Sequence, residues 1–429
     1  MMIRNMGMIP FSIPQIDTNY LKAITSSLRK KNVYEGNELQ CFEKTFREFI
    51  GVKYAITFSS ARYGLFLLYK FFGCQGKKVV FPSYTCIPAL DALRWAKGEP
   101  LFCDIDPGTY NPVLPKEFNP SFQIGAVTLS YLYGLVGDIE PLLKFARDRA
   151  IPLIEDAAIA LGLTYKGKKA GSLGDAAVFS LQSSKIITAW KGGVITTDNE
   201  SLYKFLVQER NNLPYPSYLK LIFNLLLTYL RGTFFSDYMI YRATLLQLRK
   251  LFSSKFVASL LVHLFNQDPS EAMTAQSSHL LPEYERVRFT NLQAVIALAS
   301  LNNIDRIIER RRFHAKIFHE GLGQIEGVSL PELRPECAHV YGRYPIRIKG
   351  YSKQEIRRIL NKDGIEVATY YPYICPETYY YKDLYADSQF PNARKAAEST
   401  ALLPFHNRLR ETDIRYITNR LARIKSEAH

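Results

Sequence analysis

Disulfide chemistry is the first thing this sequence leaves out. Its six cysteines (Cys41, Cys74, Cys86, Cys103, Cys337 and Cys375) are scattered, with no C-x-x-C and no paired spacing. That excludes a disulfide framework, and with no amino-terminal signal peptide pattern it predicts a reducing, cytoplasmic setting. The seven histidines show no metal-ligand spacing, so no metal is expected. Long apolar runs are missing too: the best, Tyr218 to Leu230, is too short and too interrupted to span a bilayer. Acidic residues are outnumbered, giving a formal charge of +15. No RNP-like, helix-turn-helix or zinc-finger pattern accompanies that excess, which is spread along the chain, so nucleic acid is not the expected partner. Anionic small ligands, or an anionic membrane surface, are what the balance favours.

What is present is the composition of a folded enzyme-sized chain. Hydrophobic residues make up 47% and charged residues 22% of 429 positions, enough for a large core and more than one domain. From Tyr54 to Asp198 strand and helix signals alternate, with strands expected at Lys78 to Phe81, Pro100 to Asp104, Gly125 to Ser130, Ile151 to Ile154 and Ala176 to Phe179. Val194 to Thr197 reads as a returning strand. This predicts an α/β fold with a mostly parallel, doubly wound sheet. Amphipathic helices are expected around Ile16 to Leu28 and Leu39 to Ile50, and one long helix over Leu292 to Leu322. A smaller α+β unit follows, with a strand at Arg343 to Ile348 and helices at Lys353 to Lys362 and Glu411 to Ser426.

The densest information lies between Ile151 and Asp198. An apolar run delivers Glu155 and Asp156 at its carboxyl end, where open α/β sheets place their ligands. A second run, Ala176 to Leu181, is followed by Gln182, Ser183, Ser184 and Lys185. A carboxylate and a lysine on neighbouring strand ends suit pyridoxal phosphate: the carboxylate keeps the pyridinium nitrogen protonated and the amine forms the Schiff base. By spacing alone, Asp156 as a helix cap and Lys185 as a surface lysine is the commoner reading. The order of the whole segment decides against it.

That order resembles the DegT/DnrJ/EryC1/StrS family of sugar aminotransferases, fold-type-I pyridoxal-phosphate enzymes, with this chain a divergent branch. E-D-A-A is Glu155 to Ala158, and the Y-K-G-x-x-x-G-S-x-G-D hairpin is Tyr165 to Asp175. Phe179-Ser180 is followed by Lys185 five residues after that serine, and a G-G-x-x-x-T-[DN] strand runs from Gly192 to Asp198. IPFSIPQI (Ile9 to Ile16), Tyr34-Glu35-Gly36, GVKYAITFSSARYGL (Gly51 to Leu65), FPSYTCIPAL, PLFCDIDPGTYN, LYGLVGDI, HVYGRYPIRI, DGIEVATYYP and LLPFHNRL extend the likeness over roughly residues 9 to 205 and 282 to 425.

The resemblance implies a large seven-stranded cofactor domain over 51–212, a helical insertion at 213–281, a connecting helix at 282–325 and a small carboxyl-terminal domain at 326–429. Residues 1–50 form an arm. It implies a homodimer with shared sites, pyridoxal 5′-phosphate as cofactor, and amino transfer from L-glutamate to a keto sugar, nucleotide-linked, in amino-sugar or glycoconjugate biosynthesis. Lys185 and Asp156 are the implied catalytic residues. Ser60, Ala61, Arg62, Cys86, Asp156, Ala158, Ser180 and Lys185 are the implied cofactor contacts.

The chain also departs from the pattern. Ala61-Arg62 replaces Gly-Thr, and Arg62 is read either as a charge-assisted phosphate contact or as a surface arginine. Cys86 stands where many members stack an aromatic ring, leaving Tyr84 and Tyr131 as secondary candidates. Ile159 replaces a glutamine or histidine. Lys191 sits where an acid is common. Arg286 aligns with the asparagine that reaches a neighbouring subunit's phosphate.

Between Leu213 and Asn266 there are six Lys or Arg residues and a single acid, Asp237. From Leu245 to Phe265 apolar residues step at near-helical spacing. A helical subdomain packed on the body is the favoured reading, and peripheral contact with the inner face of a membrane the alternative. Two functional alternatives stand beside transamination. One is sugar dehydration, whose family members carry histidine where this chain has Lys185; the other is a non-catalytic or membrane-associated protein acting through the insertion.

Overall fold

Alternating apolar runs and amphipathic segments fold here into one mixed sheet with helices on both faces. The computed structural model describes residues 9–16, 20–115, 121–233, 280–385 and 389–426. The sheet strands are β1 (Tyr54–Phe58), β2 (Lys78–Pro82), β3 (Glu99–Cys103), β4 (Ile124–Ser130), β5 (Leu153–Asp156), β8 (Ala176–Ser180) and β9 (Gly193–Thr197); the short β6 (Thr164–Tyr165) and β7 (Lys168–Lys169) form a hairpin between β5 and β8. Their order is β1-β9-β8-β5-β4-β2-β3, and β9 alone runs antiparallel to its neighbours β1 and β8. The fold-type-I sheet expected from the sequence is therefore what forms.

Pro152 sets the start of β5. It has no N–H to enter the ladder, although its carbonyl accepts from Val127 N–H at 2.8 Å. The strand expected at Ile151 to Ile154 is shifted accordingly, and its end carries Glu155 and Asp156 into the sheet.

The first half also contributes helices α1 (Tyr20–Lys30), α2 (Asn37–Ile50), α3 (Ala61–Phe71), α4 (Ile87–Trp95), α5 (Glu140–Asp148), α6 (Glu200–Asn211) and α7 (Tyr218–Thr233). Phe42, Phe46 and Ile50 of α2 pack with Leu153, Ala177 and Phe179 on one sheet face. Each such buried side chain stabilises by about 1.5–3 kcal/mol. On the other face α3 lies close over β8 and β9. A Cβ at Gly64 would stand 3.1 Å from Ile195 and 3.2 Å from Val178, so glycine lets the helix approach the site end of the sheet.

The long helix expected over Leu292 to Leu322 is two helices, α8 (Asn291–Leu301) and α9 (Ile304–Leu322). Asn302 and Asn303 interrupt it, and the Asn303 side chain donates back to Ala299 O at 3.0 Å, the local bonding that makes asparagine a helix terminator. Beyond α9, β10 (Val328–Ser329), β12 (Tyr344–Ile348) and β13 (Ala401–Leu403) form a small antiparallel sheet. β11 (Cys337–Ala338) pairs instead with β6, tying this unit to the main body. Helices α10 (Lys353–Lys362), α11 (Pro391–Ser399) and α12 (Glu411–Ser426) complete it. The amino-terminal arm joins here as well: Ile9 N–H donates to Gly364 O, and Phe11 O accepts from Phe405 N–H.

Of the insertion, α7 is described. Its Leu221 and Leu225 are buried with Tyr20 and Ile24 of α1 and Leu292 and Ile296 of α8, so this helix packs on the body. Leu219, Phe223, Leu226 and Leu230 face outward. The run from Leu245 to Phe265 lies outside the described residues. Among those described, no helix is long and apolar enough to cross a membrane, and no cluster of His, Cys, Asp or Glu could hold a metal ion.

Candidate active site

Adjacent residues on a strand face opposite sides, and this separates the two acids at the end of β5. Glu155 is fully buried and accepts from the N–H groups of Gly171 (2.9 Å), Leu173 (2.8 Å) and Gly174 (2.8 Å) and from the Tyr131 hydroxyl (2.6 Å). It anchors the hairpin loop. Asp156 faces the other way, towards α3. Burial pushes its carboxyl up, while the Ala158 N–H (3.2 Å) and the positive charge of Lys185 oppose that push.

Lys185 reaches this position from the next strand. Val178 of β8 pairs with Asp156, and the chain leaves β8 at Ser180 into a loop that carries the lysine. That loop is pinned by Leu181 N–H to Gly192 O (2.9 Å), Ala189 N–H to Leu181 O (2.9 Å), Lys185 N–H to Gln182 O (3.0 Å), and by the burial of Ile186 and Ile187. Ser180 is half-buried at the strand end, its hydroxyl 3.5 Å from Gln182 N–H.

The start of α3 forms the third wall. Ser60 caps it, accepting from Tyr63 N–H at 3.1 Å. The N–H groups of Ala61 and Arg62 lie in the first turn, where no helical acceptor exists. Gly193 backs this turn, and a Cβ there would stand 2.4 Å from Ala61 N.

Arg62 is not a surface arginine. Its guanidinium pairs with Glu285 at 2.7 Å and approaches Asp91 at 3.8 Å, over the ring of Trp95. The Ser60 hydroxyl also donates to the Glu285 carboxylate, and Lys191 completes the cluster at 3.4 Å while donating to Tyr284 O at 3.0 Å. Burial pushes the Glu285 carboxyl up, but Lys191, Arg62 and Ser60 together hold it below the usual range. Lys191 is therefore committed to Glu285. The acid common at position 191 in the family is missing here, and Glu285 supplies a negative charge from elsewhere in the chain.

The remaining expected residues divide. Cys86 caps α4 and is half exposed. Tyr84 is fully buried, sharing a hydrogen bond with the Tyr133 hydroxyl (3.0 Å) among the rings of Tyr110 and Tyr371. The Tyr131 side chain lies on the Glu155 side of the sheet, with its hydroxyl engaged there; only its backbone N–H meets Asp156, donating to the Asp156 carbonyl at 3.1 Å. Arg286 follows the turn Glu283–Glu285, and its charge acts on Tyr63. Ile159 meets Gly342: a Cβ at Gly342 would lie 2.1 Å from Ile159 Cγ1.

Sequence reasoning passed over Glu285, Arg311 and Arg343. For Glu285 a signal existed, since two basic substitutions at 62 and 191 call for a nearby acid and Glu285 immediately precedes Arg286. Arg311, on α9, and Arg343, in the turn before β12, are both buried.

A buried carboxylate coupled to a lysine at the ends of adjacent parallel strands, on this sheet, defines a fold-type-I pyridoxal-phosphate aminotransferase. The chain belongs to the DegT/DnrJ/EryC1/StrS aminotransferase family, whose profile matches residues 14–212 and 266–422. It is 26% identical to an uncharacterized protein of Methanocaldococcus jannaschii over 99% of this chain and 100% of that one. It is 40% identical to GDP-perosamine synthase of Caulobacter vibrioides over 163 residues, 38% of this chain and 44% of that enzyme. Among solved structures it resembles Helicobacter pylori PseC, an aminotransferase involved in the biosynthesis of pseudoaminic acid, with a TM-score of 0.76 at 18% identity, covering 98% of this chain and all of that one.

Pyridoxal 5′-phosphate is the cofactor of this family. The residues fit it. Asp156 is a buried carboxylate, Lys185 is within electrostatic reach of it, and the glycine-backed first turn of α3 is a cradle for an anion.

Proposed function

We propose that this chain moves an amino group from L-glutamate to a keto sugar carried on a nucleotide, as a homodimer with its sites at the subunit boundary. The observation that carries the reading is the buried Asp156 carboxylate at the end of β5, within electrostatic reach of Lys185 on the loop that leaves the adjacent β8. The family match and the perosamine synthase segment support a sugar acceptor.

Bound pyridoxal phosphate supplies an electron sink that makes an amino acid's α-proton removable. The chain's own residues then have separate tasks. Asp156 would hold the proton on the ring nitrogen, with burial sharpening that interaction. Lys185 Nζ would attach the cofactor and, once displaced by the donor, take the proton from the donor's α-carbon and return it on the other side. The same residues in reverse order serve the sugar carbon. Ser60, Ser180 and the α3 amides would hold the phosphate, and the Ala158 N–H fixes the direction of the Asp156 carboxylate. A lysine at 185, rather than histidine, favours transamination over dehydration.

The test is the visible absorption of the purified protein with and without L-glutamate, beside Lys185→Ala. A yellow band that glutamate bleaches, and that the variant does not form by itself, is expected. A protein that stays colourless with added pyridoxal phosphate would remove the reading.

A further inference from the structure

A turn at residues 340–343 places the buried Arg343 beside the loop that carries Lys185, and Arg311 of α9 reaches into the same turn. Arg343 is 5% exposed, and its Nη1 donates to Ser184 O and to Gly342 O, both at 3.0 Å. Ser184 is the residue immediately before Lys185. The face of the guanidinium lies over Phe11 of the arm, 5.3 Å from the ring centre. Arg311 is 6% exposed and donates to the carbonyls of Val340, Tyr341 and Gly342.

Neither guanidinium is paired with a carboxylate among the described residues. Arg311 has carbonyls and the Asn407 side chain (3.4 Å), and burial followed by the charge of Arg343 pulls it down to about 9. Glu366, close to Phe11, accepts from the Phe11 N–H at 2.8 Å. Two buried cations without a counter-ion are costly, and an anion brought between them is correspondingly favoured. Only Nη1 of Arg343 has an acceptor among the described residues, which leaves the other edge of the fork for a ligand.

The turn is built to hold this arrangement. Val340 and Tyr341 N–H both donate to Gly134 O, and Arg343 N–H donates to Tyr133 O at 3.0 Å. Tyr341 and Tyr133 sit at φ 51° and 62°, in the left-handed region that non-glycine residues enter only when their surroundings fix them. Arg311, bonded to three successive carbonyls of the turn, is the positioning residue that enforces this shape.

We propose that Arg343 receives the carboxylate of the amino-acid donor, which makes the site selective for carboxylate-bearing amines in the first half of the reaction. This rests on the function proposed above. A carboxylate could also arrive on the sugar, as in a uronic acid, so the experiment separates the two sources.

The probes are glutarate, an unreactive dicarboxylate of the donor's length, and D-glucuronate. Each is titrated by calorimetry into the purified dimer or monomer as it exists, in wild type, Arg343→Gln and Arg343→Lys. Loss of one charge-assisted contact predicts a roughly 10- to 100-fold weaker glutarate Kd in Arg343→Gln, with part of the affinity recovered by Arg343→Lys. The Kd for L-glutamate, read from bleaching of the visible band, should weaken in parallel while the limiting bleaching rate and the band itself are kept. That split distinguishes a donor contact from a tether for the Lys185 loop, which would alter the band and the rate. Unchanged glutarate binding in Arg343→Gln, or none in wild type, overturns the assignment. So does loss of D-glucuronate binding with glutarate unaffected, which would assign the arginine to the sugar. A wild-type protein without a glutamate-sensitive band defeats the function proposed above instead, and calorimetry still decides whether Arg343 holds a carboxylate.

Discussion

Two cationic clusters flank the Asp156–Lys185 pair, and they are neutralised differently. At the start of α3, Arg62 and Lys191 are answered by Glu285 and Asp91. At the turn before β12, Arg343 and the Arg311 that reaches in from α9 are met by backbone carbonyls. Positive charge therefore does not by itself mark a ligand site. The first cluster is an internal ionic joint between α3 and the segment at 283–290, to which the cofactor phosphate would add as one further anion. In the second, the described residues provide dipoles but no counter-charge.

The widest test of this comparison is at its centre. Lys185→Ala should leave both clusters intact yet reduce amino transfer by roughly three or more orders of magnitude, measured by coupled assay of 2-oxoglutarate release. Breaking the first cluster should cost stability. Glu285→Gln leaves the half-buried Lys191 without its carboxylate and Arg62 with Asp91 alone, and urea unfolding should show a loss of about 3 kcal/mol. Adding Arg62→Met to that variant should restore part of it. Arg343→Gln, by contrast, should change stability by only about 1 kcal/mol, because its own partners are carbonyls that other donors or water can reach. Equal losses in the two variants would erase the distinction between the clusters.

A smaller effect is expected where the turn is packed. Gly342→Ala drives a methyl into Ile159 and should destabilise by about 1–3 kcal/mol. Ile159→Ala in the same chain should relieve most of that, as read from the urea midpoint.

The smallest effect is on pH. Burial lowers His406 to about 3 and His314 to about 4, so both stay neutral in the folded protein while the unfolded chain binds protons below about 6.5. Stability should therefore decline as pH falls from about 6.5 towards 4. Glu285 adds to the decline further down. Its contribution is complete above the ordinary carboxylate value and disappears as pH falls through its lowered folded value. Glu285→Gln should flatten that last part of a thermal melt series and leave the histidine part unchanged.

Asp156, Lys185 and Ser60 were legible because fixed spacing ties each to a strand end or helix start. The sheet was legible for the same reason, as alternation repeats over many residues. Glu285 was signalled only indirectly, by the basic residues at 62 and 191, because its partner Arg62 lies 223 residues away. By pattern Arg343 opens the strand expected at Arg343 to Ile348; its placement beside Ser184 depends on positive-φ backbone at Tyr341, which no periodicity announces. The side on which Tyr131 falls is written in the strand before it. Tyr131 continues the alternation of Val127 and Leu129, which places its side chain with Glu155 and not with Asp156. The break at Asn302-Asn303 was visible as two poor helix formers in a row, and the apolar spacing on either side concealed it.

The route of the arm has a consequence for synthesis. Phe11, which underlies Arg343, is held by Glu366 and by the Phe405 N–H. A chain leaving the ribosome thus exposes this segment 355 residues before the Glu366 that helps to seat it has been made. The floor beneath Arg343 is laid only after residue 405 has been made, so completion of the site waits on contacts that are distant in sequence.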